Sequence, residues 1–188
     1  MTADAHLPAT LGTDRLLLRP FQSSDLDLFC GFFANEGFIR FSSGDFTRER
    51  VADFVNKVIN WDIVGLPSQF VVTIRDNGTP IGYCGFFHHE VDQKEEIEIG
   101  YRLLPEYWNQ GLATEAARAV RDHGFRDWGL ERVISLIHLD NIASRRVAEK
   151  NGMRLERQTI FRGFPTHVFA IRRAEWLTLS AERPNSTR

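Results

Sequence analysis

One short segment combines residue types that suit the binding of a phosphate group. Residues 108–114, Trp-Asn-Gln-Gly-Leu-Ala-Thr, follow a predicted strand and open a predicted helix. The first N–H groups of a helix have no partner inside it and converge on one point, where the helix dipole adds partial positive charge. Gly111 and Ala113 leave room for a ligand to approach the backbone. The segment therefore predicts an anion cradle whose guest is a phosphate or a pyrophosphate.

Two common nucleotide-binding patterns are missing from this sequence. A dinucleotide-binding fold has Gly-x-Gly-x-x-Gly after its first strand and an acidic residue about 20 positions later, and neither feature occurs. The Walker pattern is absent as well. Since a glycine also precedes many helices that bind nothing, the cradle by itself leaves a purely structural role open.

Carboxylates on the strand before the cradle are candidates for proton transfer. Residues 95–104 alternate apolar and charged side chains, so Glu96 and Glu98 share one face. Such a face suits either solvent or a polar cleft. Glu98 lies nearer the cradle and is the candidate general base. Solvation of both carboxylates, or their pairing with Arg102 and Lys94, is the alternative.

Histidines and cysteines give no second chemical site. His88 and His89 could reach an acceptor site, but isolated surface histidines are commoner, and neither is taken as a site residue. Ligands at metal-binding spacing are missing, and the sequence predicts no metal. Cys30 and Cys84 lie in apolar contexts without Cys-x-x-Cys spacing, which argues against zinc and against a disulfide framework.

The elements that must position these residues alternate between strands and helices. The predicted order is strand, two helices, three strands, helix, strand, helix and two strands, with a closing hairpin around residues 163–165. Asn77-Gly78 suits a hairpin turn, and Thr47 suits the start of the second helix. This order indicates an α/β domain with a mostly antiparallel sheet and one strand-helix-strand crossover through the helix after Gly111.

Length and composition exclude several classes of protein. A chain of 188 residues with a net charge of −2 suits one domain and is far less basic than a sequence-independent nucleic-acid binder. No apolar run approaches the roughly 18 residues of a membrane span, and the first residues lack a signal-peptide pattern. We expect a cytoplasmic protein without nucleic-acid or membrane partners.

Phenylalanine is crowded into the first half of the chain. Of 15 phenylalanines, 11 lie at or before Phe87. A bulky core is one explanation, and a pocket lined by some of these rings is the other. The candidates for the pocket are Phe32, Phe33, Phe38, Phe41 and Phe46.

Residues 98–116 resemble motif A of the GNAT superfamily, the acetyl-CoA-dependent N-acetyltransferases. The family loop reads Arg/Gln-x-x-Gly-x-Gly/Ala, and here Gly111 and Ala113 match while Trp108 replaces the first residue. The flanking Glu-Ile-Gly-Tyr, Pro-Glu-Tyr-Trp and Gly-Leu-Ala-Thr-Glu-Ala are similar to the RimJ/RimL-type branch, which acetylates the N-termini of ribosomal proteins. Asn109 stands where many relatives have glycine, and asparagine tolerates positive φ.

A second segment, residues 141–153, resembles motif B of the same family. The resemblance implies a single acetyltransferase domain over residues 12–177, with flexible termini at 1–11 and 178–188. It also implies a central mixed sheet flanked by helices, in which a parallel strand pair splays apart at the acetyl-CoA site. Acetyl-CoA is the implied cosubstrate, and a primary amine, either a protein N-terminus or a small molecule, is the implied acceptor.

The resemblance also assigns site residues. Backbone amides of one splayed strand face the acyl carbonyl, beside the candidate base Glu98. Because Ala148 occupies the position of the usual tyrosine, Ser144 becomes the candidate to assist the leaving thiolate, with helix capping or a coenzyme contact as the alternatives. The implied coenzyme-binding residues are Ile99, Gly100, Tyr101, Trp108, Asn109, Gln110, Gly111, Leu112, Ala113, Thr114, Asn141 and Ser144. Phe32, Phe33, Phe38 and Phe41 become candidates for the acceptor wall. A homodimer and a non-catalytic coenzyme A sensor remain alternatives.

Overall fold

The computed structural model describes residues 10–42, 44–61 and 68–181. Its strands are β1 (Leu11–Gly12), β2 (Leu16–Pro20), β3 (Gln69–Ile74), β4 (Pro80–Val91), β5 (Lys94–Leu103), β6 (Arg132–His138), β7 (Arg154–Phe161) and β8 (Phe164–Arg172). Its helices are α1 (Leu26–Phe33), α2 (Glu36–Ile39), α3 (Arg48–Ile59), α4 (Leu112–Arg126), α5 (Ile142–Lys150) and α6 (Arg173–Ala181).

The strands are hydrogen-bonded in the order β1-β2-β3-β4-β5-β6-β8-β7. The pairs β1/β2, β2/β3, β3/β4, β6/β8 and β7/β8 are antiparallel. β5 and β6 are parallel, with Glu98 opposite Ile134, and α4 connects them. The predicted α/β class, with a mostly antiparallel sheet and one crossover through the helix after Gly111, is confirmed.

Internal contacts divide the chain into two compact units. The first contains residues 1–85 and 101–116, and the second contains residues 86–100 and 117–188. β4 and β5 contribute residues to both.

Interlocked aromatic rings form the core of the first unit. Phe29 has no exposed surface, and five rings surround it at centroid distances of 4.7 to 6.4 Å. These rings belong to Phe21, Phe32, Phe33, Phe54 and Tyr83. Much of the phenylalanine surplus therefore packs in this core.

The second unit has an aliphatic core and a close helix contact. Val91, Ile134, Val168 and Ala170 form one buried cluster. Gly124 of α4 lies against the Phe86 ring, where a Cβ would come within 2.7 Å. The glycine at this position therefore allows α4 to approach the sheet closely.

Helix α6 was not predicted from the sequence. Trp176 stacks on Phe125 at 5.4 Å and donates a hydrogen bond to Asp122 at 2.7 Å. Strand β8 ends at Arg172, and α6 follows it directly. Among the described residues, regular structure spans Leu11 to Ala181, and the domain bounds of 12 and 177 stay a prediction.

Two hairpin turns also differ from expectation. β4 and β5 are joined by Asp92 and Gln93, with φ of 52° and 64°, where the sequence carries no glycine signal. The closing hairpin turns at Arg162 and Gly163, with φ of 51° and 83°. Residues 164 and 165 therefore already belong to β8, contrary to the turn expected at 163–165.

Candidate active site

The cradle predicted at residues 108–114 lies in the first unit, at the start of α4. The chain enters the helix through two residues in the left-handed region, Asn109 with φ of 59° and Gly111 with φ of 79°. The N–H of Glu115 is bonded to the carbonyl of Gly111 at 3.0 Å, which closes the first turn. Residues 108–111 are exposed, whereas Leu112 is buried and anchors the helix start. First-turn amides next to an exposed loop suit an anion.

The requirement for glycine at position 111 comes from its backbone conformation. A Cβ there would meet only Nη2 of Arg15, at an ordinary contact distance of 3.5 Å. Space for the side chain is therefore not the constraint. A φ of 79° is unfavourable for residues with a Cβ and most unfavourable for β-branched ones.

Side-chain hydrogen bonds hold the cradle loop in place. Trp108 donates from Nε1 to the Leu103 carbonyl at 2.7 Å, and Gln110 donates from Nε2 to the Glu106 carbonyl at 2.9 Å. Nη1 of Arg15 donates to the Gln110 carbonyl at 2.9 Å. The loop is thus fixed by its own side chains and by Arg15, which directly precedes β2.

A clamp of three residues, Thr13, Arg15 and Glu115, ties the first turn of α4 to the loop between β1 and β2. Glu115 accepts hydrogen bonds from Thr13 Oγ1 at 2.6 Å, from Arg15 N at 2.9 Å and from Arg15 Nε at 2.7 Å. Partial burial acts to raise the pKa of Glu115, but these hydrogen bonds and the Arg15 charge outweigh it and lower the pKa. Apart from an acid in the first turn of the helix, no local pattern indicates this clamp, because 100 residues separate Arg15 from Glu115.

The cradle has the features that suit a phosphate-bearing anion. Its loop is exposed and held in a fixed conformation, and the first-turn amides of α4 are those that a bound anion would accept from. Gly111, Leu112, Ala113 and Thr114 are the residues that would hold the group.

Glu98 lies in the second unit and is bonded through both carboxylate oxygens. Oε2 lies 3.0 Å from Nε2 of His89, and Oε1 accepts the N–H of Leu136 at 3.1 Å. Its side chain is only 13% exposed. The candidate base is therefore a half-buried, paired carboxylate.

Glu96, the other carboxylate on this strand face, joins a network around Arg132. The guanidinium of Arg132 donates to Glu96 at 3.0 Å and to Glu156 at 2.7 Å. The hydrogen bond from Arg132 is the main reason that the pKa of Glu156 is lowered. The charged face of β5 is thus explained by partners on neighbouring strands.

Ile99 and Gly100 follow Glu98 on β5, and Tyr101 begins the part of this strand that belongs to the first unit. Ile99 is buried, and its carbonyl accepts a hydrogen bond from Ser135 Oγ at 2.8 Å. At Gly100 a Cβ would meet the Phe87 ring at 2.6 Å. Gly100 therefore makes room for an aromatic ring on the face that carries Glu98.

Asn141 and Ser144 stand together at the start of α5 in the second unit. The Asn141 side chain caps the helix by accepting the N–H of Ser144 at 3.1 Å. Ala148, for which the family resemblance implies a tyrosine, is 2% exposed. The roles expected for Asn141 and Ser144 stay predictions.

The phenylalanines proposed for the acceptor wall separate by burial. Phe32, Phe33 and Phe38 are 6%, 6% and 2% exposed and belong to the aromatic core, which favours the core explanation for these three. Phe46 stacks on Phe33 at 4.7 Å. Phe41 is 39% exposed and lies beneath the Arg40 guanidinium, so it alone of the four wall candidates presents a ring to solvent.

Metal-binding side chains and cysteines are the remaining groups that could carry chemistry. Residues 10–42, 44–61 and 68–181 contain no group of three or more His, Cys, Asp or Glu side chains able to hold a metal ion. Cys30 and Cys84 are both free, and burial raises the pKa of the Cys84 thiol. No helix within these same ranges is long and apolar enough to span a bilayer.

The structure thus combines a mostly antiparallel sheet, one parallel strand pair and a connecting helix that starts in an anion cradle. Residues 15–154 match the model of the acetyltransferase (GNAT) domain. The chain belongs to this family and is an acyltransferase of the N-acetyltransferase type.

Relatives with similar sequences extend over nearly the whole chain. The uncharacterized N-acetyltransferase YnaD of Bacillus subtilis (strain 168) is 32% identical over 171 residues, which cover 87% of this chain and 97% of the relative. The crystal structure of a GNAT-family acetyltransferase from Bacillus anthracis is 27% identical, with a TM-score of 0.74 and coverage of 88% and 99%.

Two more distant structures share the fold and were solved with coenzyme A. RimL, a ribosomal L7/L12 α-N-protein acetyltransferase, has a TM-score of 0.73 at 19% identity, covering 87% of this chain and 98% of its own. The aminoglycoside acetyltransferase AAC(6')-Ib has a TM-score of 0.74 at 15% identity, covering 88% and 99%. The fold is thus as similar to an aminoglycoside acetyltransferase as to a ribosomal-protein acetyltransferase, and it does not single out the RimJ/RimL-type branch.

Proposed function

We propose that this protein transfers the acetyl group of acetyl-CoA to a primary amine. The cradle at the start of α4 carries the proposal, because its glycine at φ 79° and its anchored loop hold the first-turn amides open to an anion. Membership of the GNAT family supports the same chemistry. We infer a protein N-terminus of the RimJ/RimL type as the acceptor, with a small-molecule amine as the alternative.

The proposal assigns the coenzyme diphosphate to Trp108, Asn109, Gln110 and the first turn of α4, residues 111–114. It assigns the acyl carbonyl to the backbone of Ile99, Gly100 and Tyr101. Asn141 and Ser144 are assigned to the remainder of the coenzyme, with Ser144 also assisting the thiolate. Bound acetyl-CoA supplies an acyl group activated as a thioester.

The protonation state of the amine decides how much help the protein must give. An α-amine with a pKa near 8 loses its proton at pH 7 at a cost of about 1.4 kcal/mol, whereas a lysine amine near 10.4 costs about 4.6 kcal/mol. An N-terminal amine therefore needs less help from a general base than a lysine amine does. Among protein amines, an N-terminus is therefore the acceptor that is easier to deprotonate.

A thiol-release assay tests the function directly. Purified protein and acetyl-CoA are incubated with N-terminal peptides, polyamines and aminoglycosides, and free coenzyme A is measured with a thiol reagent. We expect turnover with at least one class, confirmed by the mass of the acetylated product. Tight acetyl-CoA binding without turnover on any acceptor would instead favour the non-catalytic sensor.

A further inference from the structure

His89 is held by the carboxylate that the sequence singled out as the base. Its Nε2 lies 3.0 Å from Glu98 Oε2, while the other oxygen of Glu98 is bonded to the Leu136 N–H. A carboxylate only accepts hydrogen bonds, so this pairing selects the imidazole tautomer with its proton on Nε2. Nδ1 of His89 has no hydrogen-bond partner among the residues that the structure describes. In the His89–Glu98 pair, the lone pair that can accept a proton therefore lies on Nδ1 of His89.

Aromatic rings fix the orientation of this imidazole. Phe87 stacks on it at 5.7 Å with an interplanar angle of 14°, and Phe161 meets it at 5.1 Å and 60°. The absence of a side chain at Gly100 gives the Phe87 ring its place. With 13% of its side chain exposed, His89 is mostly shielded from water but keeps a solvent-facing edge.

Several groups lie around the His89–Glu98 pair, and Arg162 lies over the Phe161 ring at 5.1 Å. Glu98 faces it from β5, and Glu96 on the same strand face is bonded to Arg132 of β6. From β7 the packed group is the uncharged ring of Phe161. His123 offers a contrast, since Nδ1 is bonded to Asp127 and Nε2 to Trp128.

We propose that His89 is the general base of the acetyl transfer and that Glu98 is its positioning residue. This inference rests on the proposed function and reverses the roles expected from the sequence, in which Glu98 itself was the base. As the amine nitrogen bonds to the acetyl carbon and the carbon–sulfur bond breaks, the amine proton passes to Nδ1 of His89. The electron pair of the broken bond leaves with the thiolate.

The test compares His89→Ala and His89→Gln with His88→Ala, the neighbour whose side chain points to the other face of β4. We expect both His89 variants to lose about 100-fold in kcat with the best acceptor, within the range for a lost general base. Their affinity for acetyl-CoA should stay within about twofold of wild type by calorimetry. His88→Ala should retain wild-type turnover.

Two further measurements separate a base from a packing residue. Added imidazole should restore part of the turnover of His89→Ala, because it can occupy the space between Phe87 and Phe161, and it should not stimulate wild type. Nitrogen NMR of the coenzyme-free protein should show the proton of neutral His89 on Nε2, a preference that Glu98→Gln removes.

Each contrary result has a distinct meaning. Wild-type turnover by folded His89→Gln would overturn the role of His89 and leave the proposed function intact. A proton found on Nδ1 of neutral His89 would do the same. A wild-type protein that turns over no acceptor would overturn the proposed function and this inference with it.

Discussion

Two residues in the left-handed region shape the loop that begins α4. Asn109 and Gly111 have φ of 59° and 79°. Asparagine tolerates this conformation better than most residues, which explains why the loop forms although many relatives have glycine at position 109. Gly111 matters for its backbone angle, whereas the sequence alone suggested that it matters for its small size.

Gly111→Val should weaken acetyl-CoA binding at least tenfold, about 1.4 kcal/mol, because a β-branched residue forces the backbone away from φ 79° and displaces the first-turn amides. Calorimetric titration measures the affinity. Gly78→Val is the matched control. Gly78 has φ of 71° in the turn between β3 and β4, and a Cβ at this position would meet no atom within 4 Å. The control should lose stability but keep its affinity. Equal affinity in Gly111→Val and wild type would show that the cradle does not bind the coenzyme.

Arg132 shows how a charged strand face is stabilised once the chain has folded. Its side chain is 17% exposed and lies between Glu96, which is 9% exposed, and Glu156. Two carboxylates raise the pKa of the guanidinium, with the hydrogen bond to Glu156 as the largest cause.

Arg132→Met should destabilise the fold by about 3 kcal/mol, because it leaves the Glu96 carboxylate buried without its cation. The double variant Arg132→Met/Glu96→Gln should be more stable than the single variant, since no buried charge remains unpaired. Urea denaturation at pH 7 measures both. Arg145→Met, which breaks an exposed pair with Glu149, should cost less than about 0.5 kcal/mol. A double variant no more stable than Arg132→Met would contradict the buried-charge explanation.

At the scale of the elements, α4 begins where three separate parts of the chain meet in the first unit. Leu112 buries its side chain, the loop before it is bonded to Leu103 and Glu106, and Glu115 is held by Thr13 and Arg15. The helix start is therefore fixed by the end of β5 and by the segment before β2. Because the amides are already ordered before the ligand binds, ordering them costs less of the binding free energy.

Glu115→Gln should lower stability by about 1 kcal/mol at pH 7 and weaken acetyl-CoA binding, because the clamp loses its charge-assisted hydrogen bonds. The folded-state pKa of Glu115 lies below its ordinary value of 4.5, so the carboxylate stabilises the fold fully above that value. The stability difference between wild type and variant should shrink as the pH falls below about 4.5.

Chemical denaturation of both proteins between pH 7 and pH 3 measures this difference. Glu149→Gln serves as the control, since Glu149 is paired on the helix surface and 46% exposed. A wild-type advantage that is constant with pH would show that the Glu115 charge does not stabilise the clamp.

Across the whole molecule, the phenylalanine surplus divides between packing and surface. Phe29, Phe32, Phe33 and Phe38 are buried within the first unit, and Phe41 is exposed. The surplus therefore serves mainly to build a core around Phe29, and only Phe41 keeps the place proposed for it at the acceptor.

Phe29→Ala should cost about 3–5 kcal/mol, because it removes the ring that five others contact and leaves a cavity. Phe41→Ala should change stability by less than about 0.5 kcal/mol but raise the KM for the acceptor. Thermal unfolding and steady-state kinetics measure the two effects. An unchanged acceptor KM in Phe41→Ala would remove Phe41 from the acceptor site.

The sequence by itself determined the class of fold, the family and the position of the cradle. Each of these depends on local patterns: alternation in strands, a capping residue before α3, and a glycine before α4. Such signals act over a few residues, so they survive without knowledge of the fold. The turn at Asp92 and Gln93 was not predicted, because its residues lack the usual turn signal. Helix α6 was not predicted, because its residues resemble a continuation of the strand before it.

Only the tertiary structure decided which charges are partners. Glu98 meets His89 across the turn at Asp92 and Gln93, Arg132 bridges Glu96 and Glu156, and Arg15 reaches Glu115 across 100 residues. Electrostatic pairing depends on distance in space and on burial, and neither can be read from spacing along the chain. The sequence could therefore name a carboxylate for proton transfer, and only the folded chain could show that a histidine stands against it.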